Sequence, residues 1–337
     1  MLNTSSPHGT RPPAFGGLVF LLLLAATQVY GADAPVDVKK IWDAGAHNAF
    51  TDLERFKGRW YCVFREGRDH VSPDGKIRVL ESADGKAWAP AALLALPGAD
   101  LRDPHVSVTP AGKLMIVGAA ARPATGGGTT HRSMVWFSDD GRTWDAGTPI
   151  GEKDFWIWRV TWHEGAAYAI GYATRGEPIV RLYASRDGTH YDVLVPTLHK
   201  EGEPNEHDLV FLDDGTCLCL IRRDGGPRTG LLGSAKPPYT EWTWKDLGKQ
   251  IGGPALVRTP DGRFIAGVRL YDGKVRTSLC LIDPASGALK ELVPLPSGGD
   301  TSYPGMVVHD GKLWVSYYAS HEGKTSIYLA KVDLNAL

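Results

Sequence analysis

Leu209 to Ile221 reads LVFLDDGTCLCLI. Two apolar runs flank an Asp-Asp-Gly turn, the pattern of a tight β-hairpin. The template recurs at Leu53–Phe64 (LERFKGRWYCVF), Val106–Val117 (VSVTPAGKLMIV) and Val160–Gly171 (VTWHEGAAYAIG), and again at Leu256–Val268 (LVRTPDGRFIAGV) and Met306–Tyr317 (MVVHDGKLWVSY). The turn glycines Gly58, Gly112, Gly165, Gly215, Gly262 and Gly311 are spaced by about 50 residues, a period that belongs to β-propellers, where each repeat is one four-stranded blade. Six hairpins therefore predict an all-β, six-bladed propeller. Val36 to Trp42 reads as a lone strand ahead of the first repeat. The last repeat supplies only three strands, so the early strand is expected to complete the final blade and close the ring.

Composition narrows the partners. With 37 basic and 38 acidic residues, nothing in the overall charge favours nucleic acid or an anionic membrane surface. Attraction for an anion must come from a local cluster. Forty glycines and eleven tryptophans suit many tight turns and an aromatic all-β interior. A chain this long exceeds one ordinary core, a limit a propeller evades because each blade packs only on its neighbours.

Arg11 precedes the apolar run Leu18–Ala26, which is too short to span a bilayer and reads as the core of a signal peptide. Cleavage near Ala32 or Ala34 gives a leader over 1–34 and one propeller domain over 35–337. Export, to the outside or a periplasm, and no membrane association of the mature form are the expectations. A retained anchor is the alternative. Cys62, Cys217, Cys219 and Cys280 lie in strand-like runs and read as small apolar fillers. Without CxxC or His-x-His spacing, neither a metal nor another cofactor is expected, and the chain is expected to act as a monomer.

Three turns share the form Ser-x-Asp-Gly-x-x-aromatic: Ser82–Trp88, Ser138–Trp144 and Ser185–Tyr191. The Asp can accept backbone N–H groups, the Gly takes a left-handed conformation, and the aromatic packs between sheets. These turns resemble the Asp boxes of the sialidase (neuraminidase) superfamily. That resemblance implies a six-bladed propeller, with the boxes lying away from the catalytic centre.

The strand starts carry the chemistry: Phe50-Thr51-Asp52, Arg102-Asp103-Pro104-His105, Trp158-Arg159, Asn205-Glu206, Gly253-Pro254 and Ser302-Tyr303-Pro304. Charges directly ahead of apolar strands belong at a channel mouth rather than in a barrel interior. Glu206, followed by Val210, Gly215 and Arg222, is similar to the sialidase pattern E-x-x-x-V…D-G…R. The resemblance implies that Glu206 activates a tyrosine and that Arg222 binds a substrate carboxylate. Tyr303, in SYPGMV, matches the nucleophilic tyrosine. Arg276 matches the third arginine of the triad, with Arg269 its competitor. Where the family opens with Arg-Ile-Pro, this chain reads His47-Asn-Ala-Phe-Thr-Asp52, so Arg102 or Arg159 would stand in for the first arginine. The loop Arg65–His70 offers Asp69 or His70 as acid/base.

The reading that follows is an exo-glycosidase acting on a glycan with a terminal acidic sugar, sialic acid or a relative. A phenol attacks an oxocarbenium centre beside a carboxylate with less repulsion than a carboxylate nucleophile would, and arginine forks fit the substrate carboxylate. A second reading uses Asp52, Asp103 and Glu206 as a carboxylate trio on a neutral or uronic sugar. A third is a binding propeller without turnover, with Trp156, Trp158 and Trp162 as a sugar-stacking surface. Tyr318 or His321 could line the pocket, and Gly253-Pro254 would leave room for a ligand.

Overall fold

The computed structural model describes residues 36–337. The leader expected over 1–34 lies outside them. Each hairpin forms where its alternating apolar residues and turn glycine predict, and the strands assemble into antiparallel sheets. Strand β1 (Val36–Trp42) comes first. One sheet contains β2 (His47–Phe56), β3 (Arg59–Gly67), β4 (Lys76–Ser82) and β5 (Ala89–Leu94). The next contains β6 (Asp100–Val108), β7 (Leu114–Pro123), β8 (Thr129–Ser138) and β9 (Thr148–Ile150). It is followed by β10 (Phe155–His163), β11 (Ala166–Ala173), β12 (Val180–Ser185) and β13 (Asp192–His199).

The fourth and fifth repeats depart from that rule. Strands β14 (Pro204–Phe211), β15 (Cys217–Arg223), β16 (Thr229–Ala235), β17 (Thr243–Arg258), β18 (Phe264–Leu270), β19 (Arg276–Ile282) and β20 (Leu289–Pro294) form one seven-stranded sheet. The last sheet contains β21 (Thr301–His309), β22 (Lys312–Ala319) and β23 (Ser326–Asp333), with β1 hydrogen-bonded along β23. The expectation of six separate four-stranded blades closing a six-bladed ring is therefore corrected. Among the described residues the propeller has four discrete four-stranded sheets and one seven-stranded sheet. The physical reason is β17, which pairs with β16 through its first half and with β18 through its second. Its 16 residues contain Gly248, Gly252 and Gly253 but no turn, so one strand is the outer edge of one repeat and the inner edge of the next.

The inner strands are β2, β6, β10, β14, β21 and the second half of β17, and side-chain hydrogen bonds join β2 to β6 and β21, and β14 to β10 and β17. Asp52 accepts from Val106 N at 3.0 Å, and Asp208 from Leu256 N at 2.8 Å. Thr51 Oγ1 donates to Tyr303 O at 2.8 Å. The interior between sheets is aliphatic and aromatic, with Trp60 stacked on Trp314. All four cysteines are free and buried, consistent with filler roles.

The three Ser-x-Asp-Gly turns share one geometry. Gly85, Gly141 and Gly188 N–H donate to Ser82, Ser138 and Ser185 Oγ, and each Asp carboxylate accepts two further backbone N–H groups. The turn glycine faces a neighbouring sheet: a Cβ there would meet Trp314 from Gly85, Tyr61 from Gly141, and Met115 from Gly188. These turns dock each sheet onto its neighbour.

Candidate active site

Every inner strand shifts register at its start, between Ala49/Asp52, Arg102/His105, Ile157/Val160, Pro204/His207, Gly252/Ala255 and Ser302/Gly305. A bulge re-aims a side chain and is common beside active sites. The residues inside these shifts include Phe50, Asp103, Trp158, Glu206, Gly253 and Tyr303. Phe50, Asp103 and Tyr303 have φ of 60°, 47° and 51°, a region that costs L-residues energy and persists only where the surroundings impose it.

The centre is a phenol–carboxylate pair. Tyr303 Oη donates to Glu206 Oε1 at 2.5 Å. Arg222 Nη1 donates to the same Oε1 at 2.7 Å and to Tyr303 Oη at 3.0 Å. Gly253 N donates to Glu206 Oε2 at 2.9 Å. Phe50 packs edge-on against the Tyr303 ring at 5.0 Å, with Trp158 at 5.7 Å and the Arg269 guanidinium 5.3 Å over its face.

Electrostatics separates the ionisable groups. Burial pushes the Glu206 carboxyl up, but the Arg222 charge and the hydrogen bonds from Arg222, Tyr303 and Gly253 outweigh it and hold Glu206 below its usual range. Burial, then the Glu206 charge, raises the Tyr303 phenol well above its usual value, against Arg222 and Arg269. Asp103 is pushed up to about 7, first by burial and then by Glu206, with Arg102 and Arg65 opposing. Its Oδ1 is buried with no hydrogen-bond partner among the described residues. Near neutrality the site thus holds an ionised carboxylate and a carboxyl that readily keeps its proton.

A second arc of polar side chains flanks Tyr303. Arg269 donates to Thr301 O at 2.6 Å and Tyr318 Oη at 2.9 Å; Tyr318 Oη donates to Asp300 Oδ1 at 2.8 Å. Asp300 Oδ2 meets His47 Nε2 at 3.1 Å and His70 Nδ1 at 2.7 Å. The His70 loop is held by Arg65, fully buried, which donates to Asp69 O, Ser72 O and Asp100 Oδ1.

Several sequence-based expectations need correction. Arg276 does not reach Tyr303: it forks onto Glu291 and Asp272, because β19 is the third strand of its repeat and lies away from the channel. Arg269, on β18, takes that place. Arg159 is bound to Asp208 at 2.9 Å and lies 3.8 Å from Asp52. Asp52 accepts from Leu53 N and Val106 N and meets His105 Nδ1. Asp52 therefore does not form a trio with Asp103 and Glu206; with Arg159, Glu54 and Asp208 it lines a separate cavity of about 570 Å³ further along the inner strands. Arg102 pairs with Asp100 at the rim, where its charge still reaches Asp103. The Asp69 carboxylate caps His70 N and is exposed. Trp156 and Trp158 are buried rather than presented as a stacking surface, and Trp162 is only partly buried. Gly253 makes room for Tyr303 itself, whose ring a Cβ would approach to 2.7 Å. His321 packs on Tyr328.

Asp300, His47 and Arg65 carry no role in the sequence reading. A usable signal exists for the arginines: Arg65, Arg222 and Arg269 all stand near the end of the second strand of a repeat, opposite the start of an inner strand.

No protein-family model matches the sequence, and no curated protein matches it. Solved structures share the fold. A protein of unknown function from Dyadobacter fermentans aligns with a TM-score of 0.77 at 19% identity, over 88% of this chain and 99% of that one. An α-L-arabinanase from Penicillium chrysogenum, complexed with arabinobiose, aligns at 0.73 and 15%, over 91% and 100%. A sialidase from Trypanosoma rangeli, in complex with the inhibitor DANA, aligns at 0.67 and 12%, over 88% of this chain and 60% of that one.

Proposed function

We propose that the protein is a retaining exo-glycosidase acting on a glycan that ends in an acidic sugar. One observation carries this reading: a buried tyrosine hydroxyl 2.5 Å from a glutamate held ionised by Arg222, with Asp103, whose buried Oδ1 has no hydrogen-bond partner among the described residues and whose carboxyl burial pushes up to about 7, in the same mouth. Tyr303 Oη attacks the anomeric carbon while its proton passes to Glu206 Oε1. Asp103 gives its proton to the leaving oxygen, then takes one from the water that cleaves the glycosyl-tyrosine, and Glu206 returns its proton to the phenolate. Arg222, bonded to the phenol oxygen, and Arg269, over the phenol ring, supply positive charge for a sugar carboxylate. The arabinanase and sialidase among the structural neighbours are consistent with sugar hydrolysis on this scaffold, and the Leu18–Ala26 run supports export.

A second reading is favoured by one detail. Arg222 is already engaged by Glu206 and Asp224, whereas Asp103 and Glu206 by themselves make an acid and an ionised nucleophile. A neutral sugar would then be attacked by Glu206 directly, with Tyr303 as its hydrogen-bond donor. Rates on an aryl α-sialoside and an aryl α-L-arabinofuranoside separate the two. The first reading expects sialoside turnover that falls by roughly 10³-fold or more in Tyr303→Phe. Turnover of the arabinofuranoside that survives Tyr303→Phe and is lost in Glu206→Gln assigns the second. No turnover of either substrate by the wild-type chain defeats both.

A further inference from the structure

We infer that His47, His70 and Asp300 form a binding site for one divalent transition-metal ion of the zinc class, at the edge of the channel mouth. The three ligand atoms, His47 Nε2, His70 Nδ1 and an Asp300 oxygen, lie within 4.8 Å of one another. The two imidazole nitrogens both point at the same atom, Asp300 Oδ2, at 3.1 and 2.7 Å. Metal bonds of about 2.0–2.1 Å to nitrogen and oxygen place tetrahedral ligands roughly 3.3 Å apart, so an ion requires the nitrogen–oxygen separations of 3.1 and 2.7 Å to open by about 0.2 and about 0.6 Å. Two imidazoles and one carboxylate are a donor set that suits zinc and its neighbours, and disfavours calcium or magnesium, which take oxygen.

The support around Asp300 resembles that of a metal ligand, whereas His47 Nδ1 is buried without a hydrogen-bond partner among the described residues. Asp300 Oδ1 is fixed by the Tyr318 hydroxyl at 2.8 Å, and its backbone N–H donates to Ser320 Oγ at 2.9 Å, which leaves Oδ2 for the ion. The two rings meet edge to face at 5.6 Å, and Phe50 packs edge-on against His70 at 5.0 Å. His47 is buried in β2, whereas the His70 side chain is 48% exposed. An ion held there keeps one or more positions for water or a substrate oxygen. The Arg269 guanidinium, 3.7 Å from Asp300 Oδ1, opposes the ion's charge; its donors are directed to Thr301 O, Tyr271 and Tyr318. The proposed reaction needs no ion at this place, so the site stands or falls separately from it.

Equilibrium dialysis of the untagged full chain against micromolar ZnCl₂ at pH 7.5, with elemental analysis of the retained metal, tests it. One Zn²⁺ per chain is expected. His70→Ala, a change at a half-exposed loop side chain, and Asp300→Asn should each weaken retention by at least tenfold with an unchanged circular-dichroism spectrum. Tyr318→Phe, which frees the carboxylate without removing a ligand, should weaken it by roughly 10-fold. Absence of retained zinc in the wild-type chain means that the three groups are only hydrogen-bonded to one another, and overturns the site. So does equal retention by wild type and His70→Ala, since the metal would then sit on other histidines.

Discussion

Asp103 links the residue scale to solution behaviour. Burial and then the Glu206 charge push its carboxyl up to about 7 in the fold, from about 4 when unfolded, so between those values the native state binds the extra proton. Stability therefore falls as pH rises from about 4 to about 7, the sign expected of a raised carboxyl. Asp103→Asn should melt several degrees above wild type at pH 8 and show little difference at pH 4, measured by scanning calorimetry. If Asp103 is the acid, wild-type turnover declines as pH passes through 7, and Asp103→Asn lowers kcat by roughly 10²–10⁴-fold. Gain of stability with loss of turnover is a combination that a purely structural carboxyl would not give. Gly253→Ala probes the other side of the pair. At φ 54° a Cβ would stand 2.7 Å from the Tyr303 ring, so the ring must move away from Glu206, and kcat should fall more than KM rises.

At the level of elements, the Ser-x-Asp-Gly turns predict a graded response. Gly141→Ala adds a methyl 2.1 Å from the Tyr61 ring at a φ of 75° and should destabilise by about 2–3 kcal/mol in denaturant titration. Gly126, in an exposed loop, also has positive φ, but a Cβ there meets nothing within 4 Å; Gly126→Ala should cost only about 1 kcal/mol. The hairpins are legible in the sequence because their determinants are local: alternating apolar residues and a glycine at the turn. The pairing of Tyr303 with Glu206 comes from the family resemblance and not from position alone, since six strand starts offer candidates. The choice between Arg269 and Arg276 is not, because it depends on whether the second or the third strand of a repeat faces the channel. Asp52 misleads for a related reason. It directly precedes Leu53, the place His105 has before Val106, whereas Asp103 stands two residues earlier inside the register shift; Asp52 therefore falls after its own shift and is turned toward Val106 N and Arg159 instead of the mouth. Nor does any local pattern announce that β17 continues from one repeat into the next.

For the whole molecule, the inner strands approach each other so closely that one position tolerates no side chain. A Cβ on Gly305 would stand 2.1 Å from Leu53 N and 2.5 Å from Asp52 C, both backbone atoms. Gly305→Ala should therefore cost more than about 4 kcal/mol and reduce soluble yield, whereas Gly311→Ala, in an open turn, should be mild. Strand β17 has a different kind of consequence. Because its residues 243–258 bond to β16 on one side and β18 on the other, fraying of either half strips partners from its neighbour. Deuterium uptake should accordingly report the stretch 204–294 as a single opening unit with one common protection free energy, while each four-stranded sheet exchanges on its own schedule.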